Sequence, residues 1–263
     1  MLDLAALPLW LIFLLSLVVI FGAVEFGRSL GATARVRKSE TITMLVGALL
    51  GLLALMMGFT FSVALSRFEA RLDAVLDEAN AIGTTALRAR LLPEPQASTS
   101  LKLLHDYAQL RLELTQKAAN AAEIAAAVER SNIIQEALWL NAKAVAARDN
   151  AMVPTGLYLQ TLNDMIDTHE KRLTAFRNRV PGVVFVALYG IAILAACFTG
   201  YSGWTEAQRS RISDYLVGFV TAAVILLIQD LDRPAAGFIS VSQQPIIDTI
   251  KSIASYAPTE PSR

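Results

Sequence analysis

Four stretches of the chain are apolar for long enough to cross about 30 Å of hydrocarbon, which takes roughly 20 helical residues. They are residues 8–26, 42–65, 183–199 and 212–231. The last carries Asp214 and Gln229 near its ends, so this helix is expected to face protein rather than lipid. The opening run MLDLAALPLWLIFLLSLVVIFGAVEFG lacks a basic leading region and is too apolar for too long to be a signal peptide, so it reads as a retained membrane helix. The second stretch does not stop at the membrane. In GLLALMMGFTFSVALSRFEARLDAVLDEANAIGTTALRARLLP, residues 51–93, no proline precedes the last residue. Leu72, Val75, Leu76, Ala79 and Leu87 recur there at helical spacing, so one helix is predicted to leave the membrane and run on into water.

The remainder of the inserted region, 66–182, reads as further helices. Pro93-Glu94-Pro95 ends the first, because proline disfavours helix in the residue before it. Ser98 or Thr99 is predicted to open a second, carrying Leu103, Tyr107, Leu110 and Leu114. Asn120, with Glu123 three residues on, is expected to cap a third that carries Ile124, Val128, Ile134 and Leu138. Pro154 suits the first turn of a fourth. Its apolar face uses Leu159, Leu162, Ile166, His169, Leu173 and Phe176, and it stops at Pro181-Gly182. No stretch alternates with period two for long enough to suggest a sheet. The expected fold is all-α: two membrane helices in 1–65, a helical water-facing domain in 66–182, two more membrane helices in 183–232, and an amphipathic helix with a tail in 233–263.

Composition narrows the partners. Apolar residues make up 54% of the 263, which suits a membrane bundle in a lipid bilayer plus one modest water-facing domain. The 23 basic residues balance the 23 acidic ones, so no global field recruits nucleic acid. The single cysteine, Cys197, lies in an apolar run and allows neither an internal disulfide nor a thiolate metal site. Charge leaves the orientation open. Arg28, Arg35, Arg37 and Lys38 crowd the first short loop, and Arg209 and Arg211 the third, which places the inserted region outside the cytoplasm. Arg67, Arg71, Lys171, Arg172, Arg177 and Arg179 flank that region's own membrane junctions and argue the reverse.

The second membrane helix carries two stripes. Gly47, Gly51, Ala54 and Gly58 form a small one, which would let neighbouring helices approach closely in lipid. Leu55, Phe59 and Ser62 form a bulkier one. Both stripes pack within the chain on one reading. On the other, the bulkier stripe looks onto a central axis as a hydrophobic constriction, which needs a ring of identical subunits.

A resemblance bears on that choice. GFTFSVALSRFEARLDAVLDEANAIGTTALRARLL, residues 58–92, resembles the second-helix segment of the bestrophins. That family has Gly-Phe in its pore neck, then an apolar run, then an arginine followed by aromatic residues. Gly58-Phe59 and Arg67-Phe68 match with the same spacing, and Glu69-Ala70-Arg71 and Asn80 sit in places comparable to those of bacterial members. Phe68-Glu69 departs from the family's paired tryptophans. DLDRPAAGFISVSQQPIIDTIKSI, residues 230–253, is similar to the family's acidic-Pro-Gly run and following amphipathic helix. The resemblance implies a homopentameric channel for small inorganic anions in the bacterial cytoplasmic (inner) membrane, with a cytoplasmic helical vestibule. By position, Gly51, Leu55 and Phe59 would form the neck and Ser62 and Ser66 the pore exit. Gly51 replaces a bulkier family residue, which would widen the upper neck or leave it to be filled by a neighbour.

Candidates for other chemistry are few. Glu69, Asp73 and Asp77 share one helix face and read as a solvated surface, since like charges at this spacing are mildly unfavourable and a hard cation wants several converging oxygens. Asp230 and Asp232 occupy the place of a calcium-binding acidic cluster in animal bestrophins. Two carboxylates are few for calcium, and capping or an ion pair with Arg233 is the plainer expectation. His169 falls on an apolar face and reads as a hydrogen-bonded core histidine, and His105 lacks partners at metal spacing. No Walker loop, GxSxG, HExxH or dinucleotide fingerprint occurs, so neither an enzyme, a cofactor nor a metal is expected. The function of a different class is a non-conducting membrane sensor or scaffold with an extracytoplasmic helical bundle, which the first-loop charges favour.

Overall fold

The computed structural model describes residues 7–33, 40–116, 121–205, 211–234 and 237–256. Every regular element among them is helical: α1 Leu9–Thr33, α2 Glu40–Ala89, α3 Gln96–Gln116, α4 Ala121–Ala146, α5 Leu157–Arg177, α6 Gly182–Thr205, α7 Arg211–Asp232 and α8 Gln244–Ser255. By length and composition, α1, α2, α6 and α7 can each cross a membrane. Helix α2 is 50 residues long without a break, about 75 Å of rod at 1.5 Å per residue. The described residues group into two compact units, one from 1–68, 179–233 and 237–239, the other from 69–178, 234–236 and 240–263. Helix α2 contributes to both.

In the first unit, Leu53 and Ala64 of α2 pack with Phe185, Leu188, Ala192 and Ala195 of α6 and Ile225, Ile228 and Leu231 of α7. Helices α1 and α6 cross so closely that a Cβ placed on Gly27 would lie 1.9 Å from the Cys197 carbonyl oxygen, and one on Gly200 would lie 2.0 Å from that of Val24. Only glycine lets the two backbones meet in this way. Polar side chains join the same helices. Ser16 of α1 donates to the Ile12 carbonyl, the Tyr189 hydroxyl lies 2.6 Å from Ser16 Oγ, and Gln229 of α7 donates to Tyr189 at 3.4 Å.

Arg28 departs from expectation. It is not a loop residue: α1 runs on to Thr33, and Arg28 is buried with Nη2 2.6 Å from Asp214 Oδ2 of α7. Asp214 stands in the first turn of its helix, where the backbone dipole favours a negative charge. The two charges neutralise each other inside the bundle, so Arg28 drops out of the first loop's charge. Asp214 and Gln229 are both buried, so the polar side of α7 faces protein as expected. Leu216, Phe219, Val220 and Leu227 of the same helix are exposed, so the helix as a whole is not shielded within the chain.

In the second unit, the core gathers Ile82, Leu104, Tyr107, Leu138, Tyr158, Leu162, Met165 and Ile246. The buried face of α2 here is Val75, Ala79, Ile82, Ala86 and Ala89. Leu72, Leu76 and Leu87, expected on that face, are instead 42%, 45% and 49% exposed. Alanines take the inner positions because α8 lies close by: Thr249 Oγ1 lies 3.3 Å from the Ala79 carbonyl, and the Arg90 guanidinium sits 4.7 Å over the Tyr256 ring. Helix α3 opens at Gln96, two residues before Ser98. The cap comes from Glu94, whose carboxylate accepts the Ser98 N–H at 3.3 Å and hydroxyl at 2.8 Å. The expected cap Asn120 lies outside the described residues. Pro154 falls in a short π-type turn, Met152–Gly156, just ahead of α5. Leu162, His169 and Leu173 of α5 are buried as expected, but Tyr158, Met165 and Arg172 complete that face while Leu159, Ile166 and Phe176 are half-buried at its flank.

Candidate functional site

The membrane part of α2 has one covered side. Val46, Leu53, Thr60 and Ala64, at i, i+7, i+14 and i+18, are its buried residues. The opposite side is bare: Leu55 is 55% and Phe59 64% exposed, and Gly51, Ser62 and Ser66 are exposed with them. Only 11% of the membrane-grade window of α2 is buried, against 33%, 28% and 39% in the other three candidate spans. A Cβ placed on Gly47, Gly51 or Gly58 would meet nothing within 4 Å. The small stripe therefore does not serve packing within the chain, which corrects the first of the two readings above. The close helix approach belongs to Gly27 and Gly200 instead.

Past the apolar stretch of α2, Glu69 and Asp73 are exposed, and Asp77 pairs with Lys171 at 2.5 Å on the surface. This is a solvated face with local compensation. The carboxylate buried in this unit, among the described residues, is a different one. Glu78 is fully buried, and its Oε1 accepts from Tyr107 Oη at 3.0 Å and Arg111 Nε at 2.8 Å, while Arg172 Nη1 donates to Oε2. Arg172 also donates to the Gln243 side chain at 2.9 Å. Because Tyr107 gives its proton to Glu78, it accepts one from His169, whose Nδ1 lies 3.0 Å away. His169 is thus a hydrogen-bonded core residue, as expected. Burial pushes the Glu78 pKa up, but the neighbouring Arg111, His169 and Arg172 outweigh it and hold the carboxyl far below the usual range. Burial, with the negative Glu78 beside it, pushes the Tyr107 hydroxyl well above its ordinary value.

Glu78 and Arg111 were not singled out from the sequence, yet a signal existed. Glu78 falls in phase with Ala74, Val75 and Ile82, and Arg111 with Leu104, Tyr107 and Ala108, so each is a charge on a buried stripe.

Asp230 and Asp232 anchor backbone. Asp230 Oδ1 accepts the Phe238 N–H at 2.8 Å and Oδ2 that of Ile239 at 3.1 Å, and Asp232 Oδ1 accepts that of Val180 at 2.8 Å. Gly237 permits the first of these, since a Cβ there would lie 2.1 Å from Asp230 Oδ1. No group of three or more His, Cys, Asp or Glu side chains suited to a metal gathers among the described residues.

The comparisons with known proteins bear on this arrangement. The Bestrophin-like domain family matches residues 10–246. The chain belongs to the bestrophin-like family. Among solved structures, a crystal structure of a mutant bacterial bestrophin homologue from Klebsiella pneumoniae is similar to it, with a TM-score of 0.67 and 14% sequence identity. The likeness covers 93% of this chain and 97% of that one. At that identity it shows the bestrophin fold. No curated protein matches the chain.

Proposed function

We propose that this bestrophin-like chain assembles into a homo-oligomer, a pentamer as its family resemblance implies, that forms an ion channel in the bacterial cytoplasmic membrane with α2 of each copy lining the pore. The observation that carries this reading is the uncovered face of α2. Within the membrane, lipid alone could cover Leu55 and Phe59. Farther along, past Arg67, Glu69 and Arg71, the helix lies in water, and Leu72, Leu76, Leu87 and Leu91 are each more than 40% exposed. Leucines in that setting call for protein, and further copies of the same helix supply it.

In such a ring Leu55 and Phe59 form a neck that gives an ion nothing in exchange for its hydration shell. Weakly hydrated anions then cross more readily than chloride. Gly51 leaves room above the neck, and the Ser62 and Ser66 hydroxyls offer hydrogen bonds below it. A second reading concerns the sign of the ion: the exposed Glu69 and Asp73, repeated around a ring, would concentrate cations.

Reversal potentials of the purified oligomer in planar bilayers test both. The expected result is a larger permeability for thiocyanate than for chloride, with Phe59→Ala raising conductance several-fold and flattening that preference. A cation reversal potential, lost in the double variant Glu69→Gln, Asp73→Asn, supports the second reading. If an intact oligomer passes no current even with Phe59→Ala, the channel must be given up for the scaffold.

A further inference from the structure

We infer that a single water molecule is built into the helical bundle of the first unit, held by Thr199, Asp214 and Thr221. These three polar side chains line a cavity of about 10 Å³ that is otherwise walled by apolar residues of α1, α2, α6 and α7, Leu53 of α2 among them. That volume matches one water, and a water in such a place needs two to four polar partners. Thr199 asks for one. It is 1% exposed, and its Oγ1 has no hydrogen-bond partner in the protein. A buried hydroxyl left in that state is destabilising, because it has given up its bonds to water and gained none.

The other two groups can accept from the same water. Thr221 gives its own proton to the Val217 carbonyl at 2.9 Å, which leaves its oxygen able to accept. Asp214 presents a carboxylate, an acceptor only. A water that takes the Thr199 proton and gives its own two to Asp214 and Thr221 completes three bonds. A metal cation fits less well. Arg28 already balances the Asp214 charge at 2.6 Å, and a hard cation wants six or more oxygens. The water also explains how an ion pair withdrawn from solvent keeps part of its hydration, which is the costly side of burying one.

The sign of one melting shift separates a wet cavity from a dry one. The intact protein in lipid nanodiscs is compared with Thr199→Val and Thr199→Ser. Valine has threonine's shape without the hydroxyl. If the water is present, Thr199→Val strands it and lowers Tm by about 2–4 °C, while Thr199→Ser keeps most of the wild-type value. If the cavity is dry, the valine removes an unsatisfied polar atom and Tm stays level or rises, which overturns the inference. A map that resolves other buried waters but shows none within hydrogen-bond distance of Thr199 Oγ1 overturns it equally.

Discussion

Replacing Glu78 by alanine is expected to remove about 3–5 kcal/mol of stability from the second unit, enough to unfold it or leave it unable to hold a fixed core. The substitution deletes one side chain but strands three donors: Tyr107 Oη, Arg111 Nε and Arg172 Nη1 all give their protons to this carboxylate. Two guanidinium groups would then sit buried without a counter-charge, and it is that uncompensated charge, more than the lost contact, that costs so much. Glu78→Gln keeps the shape and one acceptor oxygen, so its loss falls between wild type and alanine. Asp77→Ala, one residue away, removes a partner of the exposed Lys171 and leaves the melting temperature unchanged. Thermal melts of the three variants, followed by helical signal, check the order. Acidity gives an independent readout. The folded carboxyl has a lowered pKa, so its contribution is complete above the ordinary carboxylate range and is lost as pH falls through the lowered folded value. Strong acid, not mild acid, should therefore be needed to release this clamp.

The second large effect is expected at the α1–α6 crossing. Gly27→Val or Gly200→Val places a branched side chain where even a Cβ would stand 1.9–2.0 Å from a backbone carbonyl oxygen. No rotamer relieves a clash with backbone, so the helices must separate and give up their packing along the whole crossing, a loss of about 3 kcal/mol or more. Lower yield, lower Tm and polydisperse material on gel filtration are the expected signs. The contrast lies in α2, where Gly47→Ala, Gly51→Ala and Gly58→Ala meet open space within the chain. These variants should leave the protomer intact, and any loss they cause must arise from contacts outside the protomer. If Gly200→Val melts like wild type, the close crossing is wrong.

The membrane helices were legible in the sequence because hydrocarbon imposes a length and a composition at once. The run of α2 past Leu65 was legible because nothing in it breaks a helix. What escaped is partner choice. The spacing of Leu72, Leu76 and Leu87 marks a helix correctly, yet the same spacing describes a stripe that faces the chain's own core and a stripe that the chain leaves bare. Size decided the matter: the inner positions went to Val75, Ala79 and Ala86, which fit where α8 lies near. Small residues misled in the same way. Gly47, Gly51 and Gly58 drew notice in α2, while GRSLG at residues 27–31 in α1 carried the actual contact. Arg28 and Asp214 are 186 residues apart, and no local pattern pairs them. Glu78 and Arg111 were readable only as charges in a buried phase, a weak sign until the opposite charge is found across the core. The neck assigned to Gly51, Leu55 and Phe59 rests on family position together with the bareness of that face.

The exposed leucines on the water side of α2 also bear on how the protein must be handled and made. In the arrangement proposed above, a solitary copy would carry Leu72, Leu76 and Leu87 of α2, and Leu91 just beyond it, into the aqueous phase, where neither detergent nor bilayer shields them. Dilution of the proposed assembly should then yield precipitate rather than well-behaved monomer, and newly synthesised chains would be safest when they meet one another soon after insertion.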